Sequence, residues 1–125
     1  MNEQASKKYL INLSNHPFAG WGEAQKQAAI KEFGEVEDMP FPEIPPHWSI
    51  EEVSRLAEET ARQLVQRQPS AVHLAGEFTF CYQLAKRLEA AGIRCVVATS
   101  RRMVQQLADN RKEIRFEFVR FRDYY

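Results

Sequence analysis

The chain has 125 residues, enough for one domain with a single core and too few for two. Lys plus Arg and Asp plus Glu balance at 17 each, so the net charge is zero and no global field draws in a long duplex; a compact anion would have to be held by local charge. With 44% hydrophobic and 27% charged residues the composition is that of an ordinary globular domain, one unit over residues 1–125. No stretch reads as a signal peptide or approaches a membrane span, so a cytoplasmic protein is expected. Cys81 and Cys95 lie in apolar stretches without metal-ligand spacing and read as reduced core residues; neither a metal nor another cofactor is implied.

Met1–Ser6 are polar and are expected to fray. Tyr9 to Ser14 then reads as a buried strand that breaks into Ser14, Asn15, His16 and Pro17. Ala24, Ala28, Ala29 and Phe33 follow at helical spacing until Gly34, and Glu35 to Met39 is a weak acidic strand suited to a sheet edge. Four prolines between Pro40 and Trp48 require an extended surface loop, anchored by Phe41, Ile44 and Trp48.

Ser49-Ile50-Glu51-Glu52 is a capping box, and the helix behind it turns Ile50, Val53, Leu56, Ala57, Thr60, Ala61, Leu64 and Val65 to the core before Pro69. Ala71 to Ala75 is a second buried strand, leaving through Gly76, Glu77, Phe78 and Thr79 into a helix that uses Phe78, Cys81, Leu84, Ala85 and Leu88 and stops at Gly92. Ile93 to Ala98 is a third, leaving through Thr99, Ser100, Arg101 and Arg102 into a short helix from Met103 to Leu107 and an Asp109-Asn110 turn. A last strand, with Ile114, Phe116 and Phe118 alternating with charges, is reached too quickly for a crossover and belongs antiparallel at the edge. The threefold strand-exit-helix repeat predicts an α/β fold, a Rossmann-like three-layer sandwich with a mainly parallel sheet.

In such a sheet ligands bind beyond the carboxyl ends of the strands. Ser14, Asn15 and His16 from the first exit are the candidate reacting centre, with His16 as proton carrier, since an imidazole titrates near neutrality. Asn12, Gly76, Glu77, Phe78, Thr79, Thr99, Ser100, Arg101 and Arg102 are candidate ligand-binding residues. The two arginines, placed at a helix start against the macrodipole, call for an anion. Glu77 fits beside a phosphate only if it meets a sugar hydroxyl, an adenine amino group or a metal. His73, within a strand, reads as a hydrogen-bonded core histidine. No dinucleotide fingerprint, P-loop, nucleophile elbow or zincin motif is present.

Taken in order, Asn12-Leu13-Ser14-Asn15-His16-Pro17, Ala75-Gly76-Glu77-Phe78-Thr79-Phe80, Val97-Ala98-Thr99-Ser100-Arg101-Arg102 and Phe118-Val119-Arg120-Phe121-Arg122-Asp123-Tyr124 resemble the small Rossmann-like CRISPR-associated proteins of type III systems, a group that includes ring nucleases. The resemblance spans nearly the whole chain. It implies a homodimer that binds a cyclic oligoadenylate, cyclic tetra-adenylate first among them, across its twofold axis and cuts it without metal. A ribose 2′-hydroxyl would attack the adjacent phosphate and leave a cyclic phosphate end. The rival readings are a sensor or sponge that holds the ring uncut, and a nucleoside- or base-modifying enzyme using Glu77 as acid or base. Phe41 to Trp48 and Phe121 to Tyr125 are the candidate interface or lid segments, with packing onto their own core as the alternative.

Overall fold

A computed structural model describes residues 8–125; the expectation for Met1–Ser6 lies outside the described residues. The elements are β1 (Tyr9–Ser14), α1 (Glu23–Phe33), β2 (Glu35–Pro40), α2 (Ile50–Arg67), β3 (Ala71–Ala75), α3 (Phe78–Ala90), β4 (Cys95–Gln106) and β5 (Lys112–Asp123), with short 3-10 turns at Phe18–Gly20 and Ala108–Asn110. The sheet runs in the order β2-β1-β3-β4-β5. β1, β2, β3 and β4 are parallel, and β5 is antiparallel to β4 at the edge. This is the Rossmann-like sandwich that the strand-helix alternation requires.

Strand alternation divides the core in two. Ile11, Leu13, Val72, Leu74 and Cys95 pack with Val53, Ala57, Leu64, Phe80, Leu84 and Leu88 beneath α2 and α3. Leu10, Ala71, Val96 and Phe121 pack with Trp21, Ala29 and Phe33 beneath α1. The capping box forms: Ser49 N–H donates to the Glu52 carboxylate at 2.9 Å. Gly34 closes α1 at φ 94°, and an added Cβ would lie 2.6 Å from the Lys8 carbonyl oxygen, so the α1 to β2 turn requires glycine.

The Phe41 to Trp48 loop folds onto its own core: the Phe41 ring meets Phe80 edge-on at 5.3 Å, and Ile44 and Trp48 pack on the α2/α3 cluster. Phe121 is buried, and the Tyr124 hydroxyl donates to the Leu74 carbonyl at 2.5 Å. Those segments stitch the molecule together.

Several local readings are corrected. Met103 to Leu107 is not helical: β4 continues to Gln106 and pairs rung by rung with β5, as in Met103 with Arg115 and Val104 with Ile114. Five residues are too few for a stable lone helix, and the aromatic partner strand supplies a ladder instead. Thr99, Ser100, Arg101 and Arg102 are therefore strand residues rather than an exit loop, and no helix begins at the arginines. The Asp109-Asn110 signal does make the turn, with both residues at positive φ, but it is a hairpin turn. On α3 it is Phe80 that enters the core while Phe78 is 88% exposed, and on α2 Ile50 and Val65 sit at the exposed margin of the apolar stripe.

β4 is joined to β3 only at Cys95 and Val96. Its remaining length, with β5, stands out past the carboxyl edge as a two-stranded arm. Opposed residues share a face. Ser100, Arg102 and Val104 thus lie with Phe118, Phe116 and Ile114 on the α1 side, while Arg101 and Met103 lie with Glu117 and Arg115 on the other.

Candidate functional site

The carboxyl edge is organised by Asn12. Its Nδ2 donates to the Asp38 carboxylate at 2.8 Å and to the His16 carbonyl at 2.9 Å, and its Oδ1 accepts from the Ser14 hydroxyl at 2.8 Å and lies 2.9 Å from His73 Nδ1. All four hydrogen-bonding positions of the amide are filled. Because Oδ1 accepts, His73 carries its proton on Nδ1, which leaves Nε2 as a bare acceptor; it is the buried side-chain polar atom without a partner among the described residues. The ring is held between Trp21, at 5.3 Å, and Phe121, at 5.7 Å, and burial with the nearby His16 lowers its pKa to about 4.

The same network shapes the β1 exit. Trp21 Nε1–H donates to the His16 carbonyl at 2.8 Å, and the Phe18 N–H donates to Asp38 at 3.0 Å. Asn12 and Ser14 are buried, whereas Asn15 and His16 are exposed. Within the first exit the buried pair holds the loop and the exposed pair faces outward. Asp38 and Trp21, which sequence pattern did not single out, belong to this network. The acidic character of the edge strand is its sign in the sequence, whereas the parallel register that sets Asp38 opposite Asn12 is seen only in the fold.

The second exit lies toward α3. Glu77 is the N-cap: its carboxylate accepts from the Thr79 hydroxyl at 2.6 Å and the Phe80 N–H at 2.8 Å, which holds its pKa below the usual carboxylate value. Gly76 lies against Phe41, where a Cβ would fall 2.3 Å from the ring. Phe78 extends into solvent and borders a cleft of about 440 Å3 with Tyr82, Tyr124 and Tyr125.

The third group divides. Thr99 donates its hydroxyl to the Arg120 carbonyl at 3.0 Å and shares the α3 side with Arg101. Ser100 and Arg102 turn to the α1 side, where Ser100 joins Phe116 and Phe118 against Gly22, Glu23 and Gln25, with Thr99 and Glu117 also contributing to the wall, to line a cleft of about 540 Å3. Arg102 is the rung opposite Phe116. The N-terminus of α1 opens into this cleft, and its N-cap, Gly22, places no side chain over the free amides. No ion pair holds Arg101 or Arg102 among the described residues. Neither is there a cluster of three His, Cys, Asp or Glu side chains arranged for a metal among them, nor a helix long and apolar enough to cross a membrane.

A Rossmann-like α/β domain with a polar carboxyl edge and an arm beside it is the class this arrangement defines. The chain belongs to the Uncharacterized protein MJ1673 family, whose family model matches residues 8–122. No curated protein and no solved structure matches it.

Proposed function

We propose that the protein is a ring nuclease that binds cyclic oligoadenylate, with cyclic tetra-adenylate the first ring to test, on the α1 side of the carboxyl edge and opens it without a metal ion, switching off type III CRISPR signalling. The working unit is a homodimer. The observation that carries this reading is the cleft itself: the Phe116 and Phe118 rings and the uncapped start of α1 line it together with Glu23 and Glu117, and Arg102 is the strand partner of Phe116. Rings of this kind stack bases, and the guanidinium and amides suit the phosphate between them. The exposed Asn15 and His16 stand on the loop that leads into α1.

In the reaction the ribose 2′-oxygen attacks the adjacent phosphorus, the bond from phosphorus to the 5′-oxygen breaks, and the product is linear with a 2′,3′-cyclic phosphate and a 5′-hydroxyl. The 2′-hydroxyl loses one proton and the 5′-oxygen gains one, so a residue that passes protons and donors that stabilise the phosphate suffice. His16, exposed on the loop that leaves β1, takes the proton-transfer role; Asn15 positions the ring, while Asn12 and Ser14 fix the loop. Gly76, Glu77, Phe78, Thr79, Thr99 and Arg101 form the rim on the α3 side.

One observation favours the alternative of a sensor or sponge: the Ser14 hydroxyl and the Asn12 amide are engaged internally, so cutting would rest chiefly on His16. Incubation with cyclic tetra-adenylate, with and without chelator, followed by chromatography decides between them. Linear product in both reactions supports the nuclease, an intact ring that co-elutes with the protein supports the sponge, and a ring neither cut nor retained overturns both. His16→Ala is expected to slow single-turnover cleavage by roughly a hundredfold with binding retained, because general acid–base assistance is lost while the cleft is intact. Equal loss of binding would make His16 a positioning residue.

A further inference from the structure

β5 is the outer strand of the sheet, 12 residues long, and among the described residues no strand covers its free side. Ile114 is 49% exposed, Phe116 67% and Val119 48%. A long edge with apolar side chains is a template for another strand, and a two-stranded ribbon is marginal in water without further cover. Its charges carry information about that partner: Glu113, Arg115 and Glu117 alternate in sign along one face while Ile114, Phe116 and Phe118 form the other.

We propose that β5 pairs antiparallel with β5 of a second copy of this chain, with the twofold axis passing between the two Phe116 residues. An axis normal to the sheet keeps like faces together, and opposed residues share a face, so the axis must fall on a residue rather than between two. In the Phe116 register each Ile114 faces Phe118 of the other copy, and each Arg115 faces Glu117 of the other copy. An axis on Arg115 would oppose Arg115 to itself and Glu113 to Glu117. One on Glu117 would oppose that carboxylate to itself. One on Ile114 keeps a Glu113 to Arg115 pair but sets Lys112 against Phe116 and leaves Phe118 without a facing apolar residue. The bulge between Thr99 and Ser100, which leaves Val119 without a partner on β4, ends the regular ladder just beyond the pairing segment.

The pairing joins two five-stranded sheets into one. It places Arg102, Phe116, Phe116 of the other copy and its Arg102 in a single row across the α1 side, so the two clefts flank the axis on one face. This specifies the interface of the homodimer proposed above and, for the row's use by a ring ligand, rests on that reading; the strand pairing itself stands on the sheet alone.

The test uses the full chain without ligand, so it is separate from any test of cleavage. Light scattering is expected to give twice the 14.5 kDa chain mass. Arg115→Glu and Glu117→Arg, each of which makes two like-charge contacts, should shift the protein to monomer, while Arg115→Glu combined with Glu117→Arg restores both contacts in reverse and should restore the dimer. Opposed strand positions lie about 5 Å apart, within disulfide reach, so Phe116→Cys should give a covalent dimer on oxidation or with a short bis-thiol reagent; Cys81 and Cys95 are buried and should not. A monomeric wild type overturns the pairing. So does a dimer that Phe116→Cys fails to link, or one in which the double charge exchange is no more dimeric than the single changes. Unchanged dimerisation in both single variants would equally exclude this register.

Discussion

Asn12→Ala is expected to lower stability by about 4 kcal/mol. The amide satisfies four groups at once, and alanine fills none of those positions. His73 Nδ1–H would be left without an acceptor in a site that is 4% exposed. The His16 carbonyl keeps Trp21 Nε1–H and Asp38 keeps the Phe18 N–H, so these two lose only part of their bonding. A buried donor left unsatisfied costs about 1–3 kcal/mol, and the net loss of each further bond about 1. Chemical denaturation measures the sum. Asn12→Asp should also destabilise, because it sets a second carboxylate against Asp38 and removes both donors. An Asn12→Ala protein within about 1 kcal/mol of wild type would show that the network does not hold the edge together.

The second large effect is acid destabilisation through His73. Its pKa falls from 6.5 in the unfolded chain to about 4 in the folded protein, chiefly through burial. The folded state therefore binds fewer protons between these values. The stabilisation from the neutral ring is complete above pH 6.5 and is lost as pH falls toward 4, about 3 kcal/mol across the window. The groups around the ring sharpen the assignment: Trp21 and Phe121 do not titrate, Asn12 is neutral, and the nearby His16 disfavours a positive charge on the His73 ring. His73→Phe keeps a ring between Trp21 and Phe121 and removes the titration. Unfolding midpoints at a series of pH values should show the slope between pH 6.5 and 4 in the wild type and flatten in the variant; equal slopes would place the acid sensitivity elsewhere.

The parts of the fold that were legible in the sequence are those set by local chemistry repeated in register. The Ser49 to Glu52 capping box, Gly34 at positive φ and the apolar runs of β1 and β3 each have one comfortable conformation, and three strand-exit-helix units leave little choice of topology. β4 was misread past Ala98 for a physical reason. Arg101, Arg102 and the short apolar pair Met103 and Val104 carry no decisive period of their own, and what makes them strand is the ladder to Ile114, Phe116 and their neighbours, a nonlocal partner. The same misreading hid the aromatic wall of the cleft, because Phe116 and Phe118 were visible as a strand pattern but not as an exposed face. His73 was legible as a bonded core histidine; its partner was not, since only the β1 to β3 register brings Asn12 beside it. Phe78 is expected in the core but is exposed, because a helix start allows either Phe78 or Phe80 to turn inward and the site facing Phe41 decides for Phe80.

The most direct measurement of where the proposed ligand sits is calorimetric titration of cyclic tetra-adenylate into wild type, Arg102→Ala, Arg101→Ala and Arg62→Ala. Arg102 is paired with Phe116 of the aromatic cleft, Arg101 stands on the opposite side of the arm, and Arg62 lies on the outer face of α2 beside Glu58. Loss of a charge-assisted contact to phosphate corresponds to roughly ten- to a hundredfold in affinity. That loss is expected for Arg102→Ala, with a smaller one for Arg101→Ala and none for Arg62→Ala; three variants that bind the ring as tightly as wild type would contradict a binding site on the α1 side of the carboxyl edge.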